Sequence, residues 1–251
     1  MHTQSPGPDA QAGSRNLAQL LYQPYKLLIF LPVVLIATNL LGGLIIILVS
    51  VGLPRLARPL QVLWARINAL AAPARVRVHG SDNVNPNQSY VVVANHQSHF
   101  DILAIYGWLG IEIRWVMKIE LRKVPVLGLA CEKLGHVYID RSNHRKAQES
   151  IDTAKQQLQN GTSIFFFPEG TRSLDGRLLP FKKGAFKLAK ELGLPILPVT
   201  INGSHDILPA KTLNLFPGAV DIIIHPPIPV TDASSEEQLM AQARERIASR
   251  L

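Results

Sequence analysis

The chain has 251 residues, 47% of them hydrophobic and 18% charged, with 26 Lys and Arg against 18 Asp and Glu for a formal net charge of +8. Ample apolar content and a charged fraction below the ~25% of an average soluble domain exclude a disordered tail or a low-complexity scaffold, and the basic balance fits a binder of anions. The single cysteine, Cys131, excludes an intramolecular disulfide and a multi-cysteine zinc site; in the apolar run LGLACEKL it reads as a small core residue.

Residues 1–24 open with a stretch rich in Pro, Gly, Ser and Gln and are expected to form a flexible tail. Residues 25–73 are expected to anchor the chain to a membrane. From Leu27 to Pro54 there is no charge, and almost every residue is apolar. A bilayer core of ~30 Å needs about 20 helical residues, so this run exceeds one span. Pro32 and the Gly42-Gly43 pair can break it, which leaves two readings open: one tilted span, or a hairpin of two shorter helices that dips into one leaflet. The late start, the length and the arginines that follow argue against a cleaved signal peptide. Arg55, Arg58, Arg66, Arg75 and Arg77 follow the run with no acid among them until Asp82, so the C-terminal side is expected to face the cytoplasm. Such a basic collar also attracts anionic headgroups.

From 74 to 251 strand and helix patterns alternate, with no internal repeat. ARVRVHG alternates at period two, and YVVVAN is the continuous apolar run of a buried strand. A helix is expected in HFDILAIYGWLG, strands in IRWVMK and HVYID, and a helix across residues 143–161, where Ala147, Ile151, Ala154 and Leu158 recur at helical spacing. TSIFFFP, PILPVTI and VDIIIHP read as strands. KKGAFKLAKELG is a helix ending at Gly193, and SSEEQLMAQARERIASR is a terminal helix with Ser and Glu in capping order. The pattern predicts an α/β fold with a mixed, largely parallel sheet flanked by helices. Chemistry in such sheets gathers in the loops just after the strands.

Two strand ends carry the informative residues. Asn95-His96-Gln97-Ser98-His99-Phe100-Asp101 follows YVVVA. On a straight helix His96 and Asp101 would point apart; with Ser98 as N-cap and a helix starting at His99, Asp101 reaches back to one imidazole nitrogen. A carboxylate there fixes the tautomer and leaves the other nitrogen free as a general base. The same spacing also suits a simple capping acid beside a loop histidine, and His96 with His99 lacks a further local metal ligand. The second strand end is Phe165-Phe166-Phe167-Pro168-Glu169-Gly170-Thr171-Arg172-Ser173. Gly170 permits close backbone approach, Thr171 and Ser173 offer hydroxyls, and Arg172 offers a planar fork that matches phosphate oxygens. Lys182 and Lys183 open the next helix and add two ammonium groups to a helix N-terminus, a second anion-binding feature.

There is no G-x-S-x-G elbow, Walker A loop, G-x-G-x-x-G or H-E-x-x-H, which excludes the enzyme classes these mark. No nucleic-acid module is recognisable, and the arginines cluster beside the anchor.

These residues resemble a known family, the glycerolipid acyltransferases. NHQSHFD is similar to its N-H-x-S-x-x-D block and FPEGTRS to its phosphate-binding block. Gly135 to Arg141 (GHVYIDR), Ile196 to Thr200 (ILPVT), and Lys118-Ile119-Glu120-Leu121 with Pro125 and Gly128 resemble three further blocks, all in family order between Asn95 and Ile201. One block alone is weak; together they are specific, and they look most like the bacterial branch that acylates lysophosphatidate. The resemblance implies a glycerol-3-phosphate acyltransferase-like fold behind an N-terminal membrane helix or helical hairpin. It implies transfer of a fatty acyl group from acyl-CoA or acyl carrier protein to the sn-2 hydroxyl of lysophosphatidate, or of a related lysolipid, without an acyl-enzyme. His96 is then the base and Asp101 its orienting partner. Glu169, Gly170, Thr171 and Arg172 frame the acceptor, and Arg141 and Lys118 are further phosphate ligands. Lys182 and Lys183 join them on charge and position alone. No cofactor, metal or nucleic acid is expected. The partners are membrane lipids and the acyl donor, at the cytoplasmic face of a bacterial inner membrane.

Overall fold

The computed structural model describes residues 22–140, 161–212 and 214–251. The helix expected across 143–161 falls almost wholly outside them, as does Arg141.

The apolar run forms one helix, α1 (Tyr22–Ser50). Neither expected break occurs. Just before Pro32 the turn widens into a π-helical stretch, Lys26–Phe30, which absorbs the hydrogen bond that proline cannot donate. Gly42 serves close approach instead: a Cβ there would stand 2.8 Å from Val126 Cγ1. The chain turns at Gly52, whose φ of +82° suits glycine, and continues through Pro54 into α2 (Ala57–Ala71). The hairpin of two shorter helices within the run is therefore absent; the run is a single arm, and the arginine-bearing α2 packs beside it as the other. Trp64 Nε1 donates to Thr38 Oγ1 at 3.0 Å, and Tyr25 Oη donates to Ala71 O at 3.0 Å. These two bonds fix the arms as antiparallel neighbours.

The domain behind the hairpin carries strands β1 (Ala74–His79), β2 (Val91–Ala94), β3 (Ile113–Lys118), β4 (Val137–Ile139), β5 (Ser163–Phe166), β6 (Ile196–Asn202) and β7 (Gly218–Ile224). They form a seven-stranded sheet in the order β1-β7-β6-β2-β5-β3-β4. Every neighbouring pair is parallel except β6 with β7, so the sheet is mixed and largely parallel, as the alternating pattern predicts. Helices α3 (Phe100–Trp108), α4 (Leu127–Lys133), α5 (Gly184–Leu192), the short α6 (Ser204–Ile207) and α7 (Glu236–Ala248) complete the described elements.

Both faces of the central sheet are covered, which explains why YVVVA has no polar alternation. Val92 and Ala94 point with Phe165, Leu197 and Ile201 toward the face covered by Ala69 of α2 and Phe100, Ala104 and Ile105 of α3. Val91 and Val93 point with Ile164, Phe166 and Ile196 toward Phe186 and Leu188 of α5 and Leu239, Ala243 and Ile247 of α7. The period of two thus sorts one strand into two cores. α7 opens with a capping box in which Ser235 pairs with Gln238 rather than a glutamate.

Cys131 is half-buried on α4, and burial pushes its thiol up to about 11, so it is no nucleophile at neutral pH.

Candidate active site

β2 and β5 are adjacent and parallel, with Val93 opposite Phe166. The loops after both strands therefore leave the same edge of the sheet, and the two sequence blocks arrive side by side. Asn95, the first residue past β2, acts like one more peptide unit: its Nδ2 donates to Ile201 O, and Ile201 N–H donates to its Oδ1, both at 2.8 Å. This pins the exit of β2 to β6 and fixes the starting point of His96.

The helix after β2 begins one residue later than expected, at Phe100. Ser98 Oγ accepts the Phe100 N–H at 3.0 Å, and Ser98 N–H donates to Asp101 Oδ2 at 2.9 Å. The reciprocal cap holds Asp101 pointing back along the chain. The same oxygen takes the Gln97 N–H and His96 Nδ1, each at 2.8 Å. Asp101 is fully buried and His96 is nearly so, its side chain 15% exposed. With Asp101 Oδ2 acting as the acceptor, Nδ1 carries the proton and Nε2 holds the lone pair. Capping and histidine orientation, alternatives in the sequence, are here two tasks of one carboxylate.

The His96 ring stacks on Phe167, with centroids 3.7 Å apart and planes 7° off parallel. Phe167 is thus a site residue that sequence reasoning treated only as the end of a strand. The backbone of His96 is held as firmly as its ring. Its N–H donates to Glu169 Oε1 at 2.7 Å, and its carbonyl accepts from Ser173 N–H at 2.8 Å. Glu169 Oε2 accepts the Leu179 N–H at 2.9 Å. Burial pushes the Glu169 carboxyl up to about 7, against the pull of these two backbone donors. These backbone donors engage both of its oxygens.

Gly170 has a φ of +71°, a left-handed conformation that glycine adopts without strain. Its missing Cβ matters too, because one would lie 2.8 Å from Lys182 Nζ. The Lys182 side chain therefore lies over the Gly170 backbone, and its own N–H donates to Pro168 O at 2.8 Å. Thr171 is exposed and Arg172 half-buried. Arg172 stands near His99, whose imidazole is held below its ordinary value first by burial and then by the Arg172 guanidinium.

The structure gathers His96, Asp101, Glu169, Gly170, Arg172 and Lys182 around one strand edge. Two other expected cations have different partners. Lys183 is directed to α7, where its ammonium pairs with Glu237 at 2.5 Å. Lys118, exposed at the end of β3, pairs with Glu120 at 3.2 Å. Among the described residues no group of three or more His, Cys, Asp or Glu side chains could hold a metal ion.

The α/β sheet thus carries a histidine–carboxylate pair and a cationic loop on adjacent strand ends, an arrangement able to set a base beside a bound anion. Residues 75–202, about half the chain, match the family described as Acyltransferase, and the protein belongs to that family. It is 36% identical over 188 residues to a chloroplast 1-acyl-sn-glycerol-3-phosphate acyltransferase of Brassica napus, covering 74% of this chain and 53% of that one. It is 34% identical over 164 residues to the human alpha form, covering 65% and 58%. The chain thus spans a little over half the length of these curated relatives. The crystal structure of the 1-acyl-sn-glycerophosphate acyltransferase PlsC from Thermotoga maritima superposes with a TM-score of 0.80 at 30% identity, over 94% of this chain and 95% of that one.

Proposed function

We propose that the protein transfers a fatty acyl group from acyl-CoA or acyl carrier protein to the sn-2 hydroxyl of lysophosphatidate, yielding phosphatidate. The observation that carries this reading is the His96 Nδ1–Asp101 bond, which leaves Nε2 as an open base beside the Gly170–Arg172 loop and Lys182. The relatives named above act on 1-acyl-sn-glycerol-3-phosphate. Nε2 removes the hydroxyl proton as the oxygen attacks the thioester carbonyl. Asp101 stabilises the imidazolium that forms. Collapse of the tetrahedral adduct breaks the C–S bond, and the thiolate leaves with the proton from Nε2. Arg172 and Lys182 hold the acceptor phosphate, and no cofactor or metal takes part.

Thiol release from acyl-CoA or acyl carrier protein, followed across a panel of lysolipids with a chelator present, tests this. Release with lysophosphatidate and little with lysolipids that lack a phosphate monoester is the expected result. Preference for another lysolipid would move the acceptor assignment. Release with none would leave a lipid-binding protein.

We further propose that α1 and α2 anchor the protein in one leaflet. α1 is long and apolar enough to cross a membrane, with a mean hydropathy of 2.5. Yet Phe30, Ala37, Gly42 and Ile45 form a buried stripe along it, with Phe30 joining the sheet core and Ile45 meeting Ala57 and Ala130. A helix with such a stripe packed against the protein meets lipid only on its remaining face. Leu28, Leu35, Ile36, Leu40 and Ile47 face outward, and Leu63 and Leu70 of α2 are exposed beside them. One face meets protein and the other lipid, the arrangement of an in-plane anchor on the cytoplasmic leaflet. In sealed inside-out vesicles, cysteines replacing Tyr22 and Gly52 are expected to react equally with an impermeant maleimide. Protection of one alone would indicate a span.

A further inference from the structure

The arginine collar does not act as one feature once folded. Arg77 is spent on Asp221, with two bonds of 2.8 and 2.9 Å. Arg58 and Arg66, about two turns apart on α2, converge on the C-terminal end of α3. Arg58 Nη2 donates to Gly110 O at 3.3 Å, and Arg66 Nε donates to Gly107 O at 3.0 Å. Arg66 also lies over the Trp108 ring, 5.5 Å from its centroid. Each guanidinium keeps most of its N–H groups unspent, and among the described residues neither is paired with a carboxylate. Glu112, the acid nearest in sequence to these carbonyls, is engaged by Arg114 at 2.6 Å.

Between α2 and α3 the two arginines border a pocket of about 210 Å³, with Gln61, Val62, Trp108 and Glu112 among its walls. On the scale where one water takes about 10–15 Å³, that is roomy enough for a phosphodiester. On α2, Leu70 continues the i, i+4 ridge of Arg58, Val62 and Arg66, and it and Leu63 are exposed. The pocket is not the acceptor site: His96 and Asp101 stand at the N-terminal end of α3, and the helix between rises about 13 Å.

We propose that Arg58 and Arg66 hold the headgroup phosphate of an anionic phospholipid of the surrounding leaflet, bound at this pocket and separate from the substrate. The chemistry follows from the parts. Two planar forks with unspent donors match phosphate oxygens. A tryptophan at the rim suits the headgroup level, and the neighbouring leucines suit acyl chains. The occupant is a membrane lipid because the two cations and the pocket sit on α2, an arm of the leaflet anchor proposed above. The inference therefore rests on the leaflet reading given above.

The test measures binding of the whole protein to vesicles of phosphatidylcholine, alone and mixed with phosphatidylglycerol. The native protein is expected to prefer the mixed vesicles. Arg58→Gln and Arg66→Gln are each expected to lower that preference about five-fold, with thiol release in detergent micelles unchanged as the sign of an intact fold. The double variant Arg58→Lys, Arg66→Lys keeps the charge and loses the forks. It is expected to lose most of the preference too, whereas a diffuse basic field would preserve it. Retention in the double lysine variant, or an equal loss in Arg55→Gln, would overturn the site while leaving the anchor intact. Absence of binding to any vesicle would sink the leaflet reading and this inference with it.

Discussion

His96→Ala is expected to lower kcat for thiol release by at least about 10³-fold, because it removes the base that makes the acceptor hydroxyl a nucleophile. The acceptor KM is expected to change little, since no bond to the phosphate involves the imidazole. Asp101→Asn is the sharper variant. An amide whose oxygen occupies the Oδ2 position still accepts from Gln97 N–H, Ser98 N–H and His96 Nδ1, so the turn and the ring orientation survive. What disappears is the negative charge that stabilises the imidazolium. A loss of about 10²–10⁴ in kcat with an unchanged melting temperature is therefore expected, and it isolates the electrostatic part of the pair. Full activity in His96→Ala would refute the mechanism.

The legibility of this pair in the sequence has a physical reason. Histidine, cap and acid lie within six residues, so local geometry alone brings them together. The sheet was legible for a similar reason: side-chain period and loop residues are local signals, and β2 reads as buried because it has a core on each face. The hairpin was half legible. Pro32 and Gly42-Gly43 look like breaks, but one is absorbed by a π-turn and Gly42 is fitted to Val126, a contact 84 positions away. Partners distant in sequence stayed hidden altogether. Nothing in the text of the chain ties Asn95 to Ile201, or Lys183 to Glu237. The role of Glu169 was hidden more deeply, because its partners are backbone N–H groups, which almost every residue possesses.

That role gives the second large effect. Family resemblance implies that Glu169 frames the acceptor, but its oxygens are occupied by His96 N–H and Leu179 N–H. A residue that binds acceptor and one that positions the base fail differently. Glu169→Ala leaves two part-buried donors without their partner, at up to about 1–3 kcal/mol each, and frees the backbone that aims the imidazole. A shift of about 1 Å in a reacting group costs on the order of 10²-fold, so kcat is expected to fall by that amount with acceptor KM moved far less. A KM rise at constant kcat would return Glu169 to the acceptor. Glu169→Gln is intermediate, since its oxygen still accepts one N–H while its amide nitrogen opposes the other. It also supplies a pH signature. The folded carboxyl is pushed up to about 7 from an ordinary value of 4.5, so between those values the native state holds a proton that the unfolded chain has released. Raising pH through that window therefore favours unfolding, by an amount on the order of 3 kcal/mol. Thermal melts in detergent are expected to show the native protein losing stability relative to Glu169→Gln between about pH 5 and 7. The difference should level off above that range. A difference that does not vary with pH would mean that the carboxyl is ionised throughout, held so by its two backbone donors.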